Sequence, residues 1–281
     1  MNAVRSDLVL MTDFGLKDGA VAAMKGVARG VSPQLSIVDL THEIPPFQIW
    51  EAAYRLRQTA PYWPSGTVFV IVVDPGVGTA RMSLAARDKD GRVFVCPDNG
   101  TLTLIAEEIG LESVREIDEI AHRLPGSDES YTFLGRDLYA FVGARLASGA
   151  LEFERVGPLI ERVALIPHQS VRSLENAVIG GIPVLDVQYG NIWTNIHRSS
   201  LERLGVQMGD RVLVVIRRGG HEKYREVVPF VKSFGLVAAG ERLLYVNSLL
   251  KAALAMNGDN FARHFGISSG ADWTVELHRV G

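Results

Sequence analysis

The stretch VFVIVVDPGVG at residues 68–78 decides the fold. Six β-branched or aromatic residues in a row are typical of a strand that is buried on both faces. The run stops at Asp74, and the proline and two glycines that follow predict a tight, rigid loop. Strands buried on both faces belong mainly to parallel sheets covered by helices, so this stretch predicts an α/β layer.

The sequence on either side repeats the same order of strand, polar turn and helix. Strands are predicted at Leu8–Met11, Leu35–Leu40 and Val93–Cys96, and helices at residues 19–29, Glu51–Thr59, about 101–108 and Leu138–Ala147. Such alternation is the pattern of an α/β fold. We therefore expect an α/β N-terminal domain with a mainly parallel sheet over residues 1–165.

The second half of the chain has a different pattern. Short strand-like segments separated by glycine-bearing turns lie at Ala177–Val187, Arg211–Arg217, Tyr224–Val231 and Leu243–Val246. Regularly spaced short strands with few helices are typical of a small barrel or sandwich. The sequence predicts a smaller all-β, barrel-like C-terminal domain over residues 175–281, with the boundary between 160 and 175.

Composition excludes several classes of protein. The chain has 281 residues, of which 47% are apolar and 22% charged, and its net charge is −3, as in a soluble globular protein. This balance predicts no general attraction to nucleic acid or to a membrane surface. No apolar run reaches the roughly 20 residues that span a bilayer, and the start lacks a signal-peptide pattern. Cys96, the single cysteine, is predicted to be a core residue, and a cytoplasmic location is expected.

Acidic turns follow three of the predicted strands: Asp13, Asp74 and the pair Asp98-Asn99. Ligands of open α/β sheets bind beyond the carboxyl ends of the strands, so these turns predict a binding site at one sheet edge. The alternative is that Asp and Asn are simply favoured in turns and helix caps.

The segment DPGVGTAR at 74–81 is the sharpest local signal. It places Asp74 and Arg81 on one loop, where a carboxylate and a guanidinium could position and polarise a water molecule. The alternative is a plain ion pair, which is common in proteins. The loop lacks the Lys-Ser/Thr ending of a phosphate-binding P-loop, and the chain has no GxGxxG dinucleotide motif.

A polar turn in the second half could recognise a nucleoside. The segment DVQYGNIWTN at 186–195 offers a carboxylate, an aromatic ring and two amides, although Tyr-Gly-Asn is also ordinary turn chemistry. The seven histidines show no metal-ligand spacing, so no metal is expected.

Taken together, these motifs resemble one family. The matching segments are TDFGLKDGAVAAMKG at 12–26, THEIPPFQIWEAAYRL at 41–56, GTVFVIVVDPGVGTAR at 66–81, PDNGTLT at 97–103, YTFLGRDLYA at 131–140, DVQYGNIWTNI at 186–196 and VNSLLKAALAMNGDN at 246–260. The chain resembles the S-adenosyl-L-methionine hydroxide adenosyltransferases, which are related to the bacterial fluorinase and chlorinase. The resemblance implies attack of water at C5′ of S-adenosyl-L-methionine, giving adenosine and L-methionine. It also implies a homotrimer with sites between subunits, and S-adenosyl-L-methionine as substrate without a further cofactor.

The resemblance also implies roles for individual residues. Asp74 and Arg81 match two members of an Asp-Arg-His set that binds the attacking water. The substrate-binding roles fall on Asp13 for the ribose hydroxyls, Phe47 for packing on the nucleoside, Asp186 and Ser248 for the methionine end, and Tyr189, Asn191 and Asn257 for adenine.

One departure from the family pattern affects the catalytic set. Leu134 in TFLGRD stands where the family has its histidine, and leucine can neither donate nor accept a hydrogen bond. Three functions therefore stay open: a hydrolase with an altered water site, a protein that binds S-adenosyl-L-methionine or adenosine without turnover, and a halide-using synthase of 5′-halo-5′-deoxyadenosine.

Overall fold

The computed structural model describes residues 6–280. The chain divides after Ile166 into two compact units, the second beginning at Pro167. None of the helices formed by residues 6–280 has the length and apolar character needed to cross a bilayer.

A six-stranded mixed sheet forms the centre of the first unit. Its strands are β1 (Leu8–Thr12), β2 (Ile37–Thr41), β3 (Val68–Val72), β4 (Ser83–Asp88), β5 (Val93–Pro97) and β6 (Leu111–Glu116). They lie in the order β2-β1-β3-β5-β4-β6. The first four in that order are parallel, and β4 is antiparallel to both β5 and β6. The parallel part of the predicted sheet is confirmed, and β4 and β6 extend it with antiparallel pairs.

Helices cover both faces of this sheet. They are α1 (Ala20–Val31), α2 (Ile49–Thr59), α3 (Thr103–Glu108), α4 (Glu119–His122), a π-helix (Gly135–Ala140), α5 (Phe141–Ala147) and two short 3₁₀ turns (Ala60–Tyr62 and Phe153–Arg155). Successive side chains of β3 point to opposite faces of the sheet, so each layer of helices packs on every second residue. Val68 and Val70 pack with residues of α1 and α5, whereas Phe69 and Ile71 pack with residues of α2 and α3. Strand β3 is therefore buried on both faces, as its sequence predicts.

Cys96 lies in β5 and is fully buried. Burial raises the pKa of its thiol well above the ordinary value. A thiol held protonated in a core is a poor nucleophile. The prediction that Cys96 is a core residue is confirmed.

The second unit contains two antiparallel sheets. Its strands are β7 (Arg172–Ser173), β8 (Ala177–Ile182), β9 (Val184–Asp186), β10 (Asn191–His197), β11 (Arg211–Arg218), β12 (His221–Pro229), β13 (Arg242–Val246), β14 (Lys251–Met256) and β15 (Gly270–Arg279). One sheet has the order β13-β14-β10-β9 and the other β12-β11-β15-β8-β7. Helices α6 (Arg198–Arg203) and α7 (Phe261–Phe265) flank them, along with a 3₁₀ turn at Phe234–Leu236. The all-β character is confirmed, and barrel-like closure stays a prediction.

One predicted strand is wrong in extent. The run from Ala177 to Val187 is divided at Pro183 into β8 and β9, which belong to different sheets. Proline has no N–H for the ladder, so a continuous strand cannot pass through it unchanged.

Candidate active site

A cleft of about 260 Å³ opens at the carboxyl edge of the parallel strands. Strands β1, β3 and β5 are neighbours, and their parallel direction brings the three acidic turns to the same edge. Asp13 and Asp74 line the cleft together with Phe47 and Leu134. The third turn has a different role, because the half-buried Asp98 accepts a 2.7 Å hydrogen bond from the backbone N–H of Ala164.

Asp74 and Arg81 form a buried ion pair at this edge. Arg81 Nε donates to Asp74 Oδ1 at 2.8 Å, and Arg81 Nη2 contacts Asp74 Oδ2, which makes the pair bidentate. The Asp74 side chain is only 2% exposed and the Arg81 side chain 14%. The backbone N–H of Gly76 also donates to Asp74 Oδ1, at 3.0 Å. A carboxylate offers about four lone-pair positions, so three N–H groups leave one position for a further donor.

The loop between these residues requires its glycine. Gly78 has φ of +81°, a conformation that residues with a Cβ rarely adopt. The loop returns the chain from Asp74 to Arg81 within seven residues, and Thr79 Oγ1 donates to the carbonyl of Gly76 at 2.8 Å. The carboxylate and the guanidinium are therefore held on a short, internally bonded loop.

Asp13 fixes the opposite wall of the cleft. One oxygen of its carboxylate accepts a 2.9 Å hydrogen bond from the backbone N–H of Phe47. Phe47 has φ of +67°, which is unusual for a residue other than glycine and indicates local strain. The residue is 66% exposed, and it lines the cleft. The strained backbone, held by Asp13, thus presents an aromatic surface next to a carboxylate.

Leu134 supplies an apolar part of the cleft wall. It precedes the π-helix, is only 6% exposed, and packs into the core cluster that covers one face of the sheet. Beside it Phe133 and Phe14 contact each other edge to face, with ring centroids 5.8 Å apart. The position that would hold a histidine in the family pattern therefore lines the same cleft as Asp74 and has no polar atom to offer.

In the second unit, four of the predicted residues lie at one end of the sheet that contains β9, β10 and β14: Asp186, Tyr189, Asn191 and Asn257. Asn191 is buried, and its Nδ2 donates to Asp186 Oδ2 at 3.0 Å. Tyr189, in the turn between them, is 67% exposed. Because Ile192 pairs with Leu254, Asn257 follows β14 at this same end. The Nδ2 of Asn257 donates to the carbonyl of Val237 and its backbone N–H to that of Glu241, both at 2.9 Å.

Ser248 lies at the other end of that sheet. It is exposed in the turn that joins β13 to β14, where the backbone N–H groups of Leu249 and Lys251 both donate to Asn247 Oδ1 at 3.0 Å. Between the two ends, Trp193 Nε1 donates to Tyr245 Oη at 3.3 Å. Burial raises the pKa of Tyr245 to about 12, so its hydroxyl stays protonated at neutral pH.

Sequence reasoning missed the polar groups behind Arg81. Arg81 Nη1 donates to Tyr139 Oη at 3.3 Å, and Tyr139 Oη lies 3.0 Å from Ser83 Oγ. Both residues are buried. A tyrosine inside a helix and a serine inside a strand carry no motif, so no sequence signal pointed to them. Residues 6–280 contain no group of three or more His, Cys, Asp or Glu side chains placed to hold a metal ion.

The α/β unit with a buried carboxylate–guanidinium pair at the carboxyl edge of its parallel strands defines a small-molecule-binding protein, since ligands of open α/β sheets bind at this edge. Comparison with known proteins gives the family. Residues 8–157 match the SAM hydroxide adenosyltransferase N-terminal domain, and residues 180–274 match the SAM hydroxide adenosyltransferase C-terminal domain. The chain belongs to the SAM hydroxide adenosyltransferase family.

Individual relatives agree with this family. A protein of Salinispora tropica named (R)-S-adenosyl-L-methionine hydrolase is 38% identical, and the match covers 92% of this chain and 93% of that protein. A fluorinase of Actinopolyspora mzabensis is 28% identical, with 95% of each chain covered. Among solved structures, an uncharacterized conserved protein from Thermotoga maritima matches with a TM-score of 0.86 and 34% identity, covering 97% of this chain and 100% of that one.

Proposed function

We propose that this protein hydrolyses S-adenosyl-L-methionine at C5′ to adenosine and L-methionine. Asp74, which lines a cleft together with Asp13 and Phe47 and forms a buried ion pair with Arg81, carries the proposal. Proteins named (R)-S-adenosyl-L-methionine hydrolase match more than nine-tenths of the chain at 35% and 38% identity, which supports it.

The reaction requires little of the protein beyond placing the water and the substrate. A new bond forms between the water oxygen and C5′, and the C5′–S bond breaks with its electron pair going to sulfur. The sulfonium becomes the neutral thioether of methionine, so the leaving group needs no proton. The main task is to hold a weakly nucleophilic water in line with the C5′–S bond.

Asp74 and Arg81 have the chemistry for this task. The remaining lone-pair position of the Asp74 carboxylate would accept the proton that the water loses. The Arg81 guanidinium would stabilise negative charge that develops on the oxygen, and its effect is larger because the pair is shielded from solvent. Asp13 would hold the ribose hydroxyls with its second oxygen, since the first binds the backbone of Phe47, and the exposed Phe47 ring would pack on the nucleoside.

The second unit would bind the rest of the substrate. We propose that Tyr189 stacks on adenine, that Asn191 and the backbone around Asn257 read its polar edge, and that Asp186 binds the methionine end. Ser248 lies at the opposite end of the same sheet from Asp186, so the expectation that both bind the methionine end is not part of this proposal. The enzyme would be a homotrimer in which each site combines the first unit of one subunit with the second unit of its neighbour. A cytoplasmic location and the absence of a separate cofactor remain part of this proposal.

Leu134 favours a second candidate, a protein that binds the same ligand without turnover. An apolar wall beside Asp74 leaves the water with one hydrogen-bond partner fewer than a histidine would give. Transfer of halide is a third candidate, since relatives named fluorinase match at 28% identity. Incubation with S-adenosyl-L-methionine, with and without chloride, separates the three: adenosine supports hydrolysis, no product supports binding alone, and 5′-chloro-5′-deoxyadenosine supports halide transfer.

A further inference from the structure

Arg81 is bonded on two sides. Its Nε and Nη2 groups face Asp74, whereas Nη1 points away from the carboxylate and donates to Tyr139 Oη at 3.3 Å. Behind Tyr139, Ser83 Oγ lies 3.0 Å from Tyr139 Oη and donates to Glu119 Oε1 at 2.6 Å. The guanidinium is thus connected to a second carboxylate through two hydroxyl groups.

The direction of the hydrogen bonds in this chain follows from the number of protons. Ser83 has one hydroxyl proton and gives it to Glu119, so Ser83 Oγ accepts the proton of Tyr139. The oxygen of Tyr139 is then free to accept from Arg81. Every donor points from the guanidinium towards the carboxylate, an arrangement in which successive hydrogen bonds polarise and strengthen one another. Burial raises the pKa of Tyr139, which keeps its proton available for donation.

The two hydroxyl residues of this hydrogen-bonded chain are buried. Tyr139 and Ser83 are at most 1% exposed, and they sit on the π-helix and on β4 respectively. Glu119 opens α4 and lines, with Arg81 and Ser83, a second cleft of about 470 Å³. Arg81 therefore lines the second cleft, whereas its partner Asp74 lines the first.

We propose that Tyr139 and Ser83 are positioning residues for Arg81, which hold its guanidinium in the plane of the Asp74 carboxylate. Asp74 lines the cleft beside the apolar side chain of Leu134, so this anchor would orient the guanidinium that pairs with the carboxylate proposed to bind the attacking water. The inference rests on the proposed hydrolysis for its kinetic consequence, but its geometric part concerns Arg81 alone. An arginine held on two sides loses little entropy when the transition state forms, so the effect should appear in kcat.

The test compares Tyr139→Phe with the matched control Tyr54→Phe, which removes a hydroxyl from another buried tyrosine, on α2. We expect kcat for adenosine release to fall about 10- to 100-fold in Tyr139→Phe, the range that a hydrogen bond to a charged group corresponds to. KM should stay within about twofold, the pattern of a group that acts in the transition state. Ser83→Ala should lower kcat in the same direction, and it keeps the test decisive if Tyr139→Phe does not fold.

A second measurement reports the environment of the Arg81 guanidinium and does not require turnover. In protein labelled with ¹⁵N-arginine, the Nε–Hε signal of Arg81 is identified by its loss in Arg81→Lys. This signal should shift or broaden in Tyr139→Phe and Ser83→Ala and stay in place in Tyr54→Phe. If the wild type is active and Tyr139→Phe has the same kcat, the inference is wrong. An Arg81 signal that does not move in Tyr139→Phe also overturns it. A wild type that forms no adenosine instead overturns the proposed function, and the Arg81 signal then decides whether the anchor exists.

Discussion

Replacing Asp74 with asparagine separates the stability of the site from its chemistry. Asp74→Asn keeps the shape of the side chain but removes the charge that faces Arg81, whose side chain is only 14% exposed. Removing one partner of a buried ion pair typically costs about 3–5 kcal/mol. Arg81 keeps its bond to Tyr139, and the asparagine oxygen still accepts one N–H group. We therefore expect a loss near the lower end, about 3 kcal/mol in the free energy of unfolding.

The kinetic effect should be larger than the effect on binding. Loss of a placed base typically lowers a rate by about 10²–10⁴-fold, and Asp74 is proposed to contact the water rather than the nucleoside. Urea unfolding gives the change in stability, while adenosine release against substrate concentration gives kcat and KM. Asp98→Asn is the matched control, since Asp98 lies at the same sheet edge and binds the backbone of Ala164. Wild-type kcat in Asp74→Asn would refute the assignment, and equal losses of affinity and rate would make Asp74 a binding residue.

The remaining predictions concern other parts of the chain. Leu134→His should raise kcat at least about tenfold with little change in affinity, at a cost of about 1–3 kcal/mol measured by unfolding; lower stability with no gain in rate would contradict this. Tyr189→Ala and Asn191→Ala should each weaken adenosine binding in calorimetry, the first by about 1–3 kcal/mol, and unchanged affinity in both would refute the adenine assignment. Light scattering should give the mass of a trimer, and an active monomer would refute shared sites. Asp88→Asn should lower the free energy of unfolding by about 3–5 kcal/mol, because Arg92 is 2% exposed and loses a buried partner. Arg92 also contacts Asp90 and donates to the carbonyl of Ala60 at 2.8 Å, and a smaller loss would show that these two partners suffice.

The parallel strands could be predicted from sequence because burial on both faces leaves a continuous apolar run. β1, β3 and β5 all have this character, and the structure places them side by side. β4 was missed because its sequence, SLAARD, has two alanines and two charged residues, and its side chains are buried by their position between β5 and β6. β15 was also missed, although Trp273, Val275 and Leu277 alternate with polar residues in a pattern that a strand explains.

The part of the candidate site that lies on one loop motif could be predicted from the sequence. DPGVGTAR brought Asp74 and Arg81 together by chain proximity alone, and the structure gives them a bidentate contact. Asp13 was predicted from its place after a strand, but its bond to the backbone of Phe47 joins residues 34 positions apart. The contact of Tyr139 with Arg81 spans 58 positions and depends on the helix register. Contacts of this kind follow from tertiary packing, to which a single sequence gives no access.

The π-helix at Gly135–Ala140 determines how the site would respond to a change in chain length. Its hydrogen bonds join residues five apart, one more than in the α-helix α5 that follows it. Deleting one residue here would let α-helical bonding run through to Ala147, so the segment would stay helical. Residues on either side of the deletion would keep nearly their present directions, because an α-helical turn closes with one residue fewer than the π turn that it replaces. A deletion within α5 would instead turn the preceding side chains by about 100° relative to those that follow, so the cleft wall at Leu134 would tolerate the loss of a residue from the π turn better than the loss of one from α5.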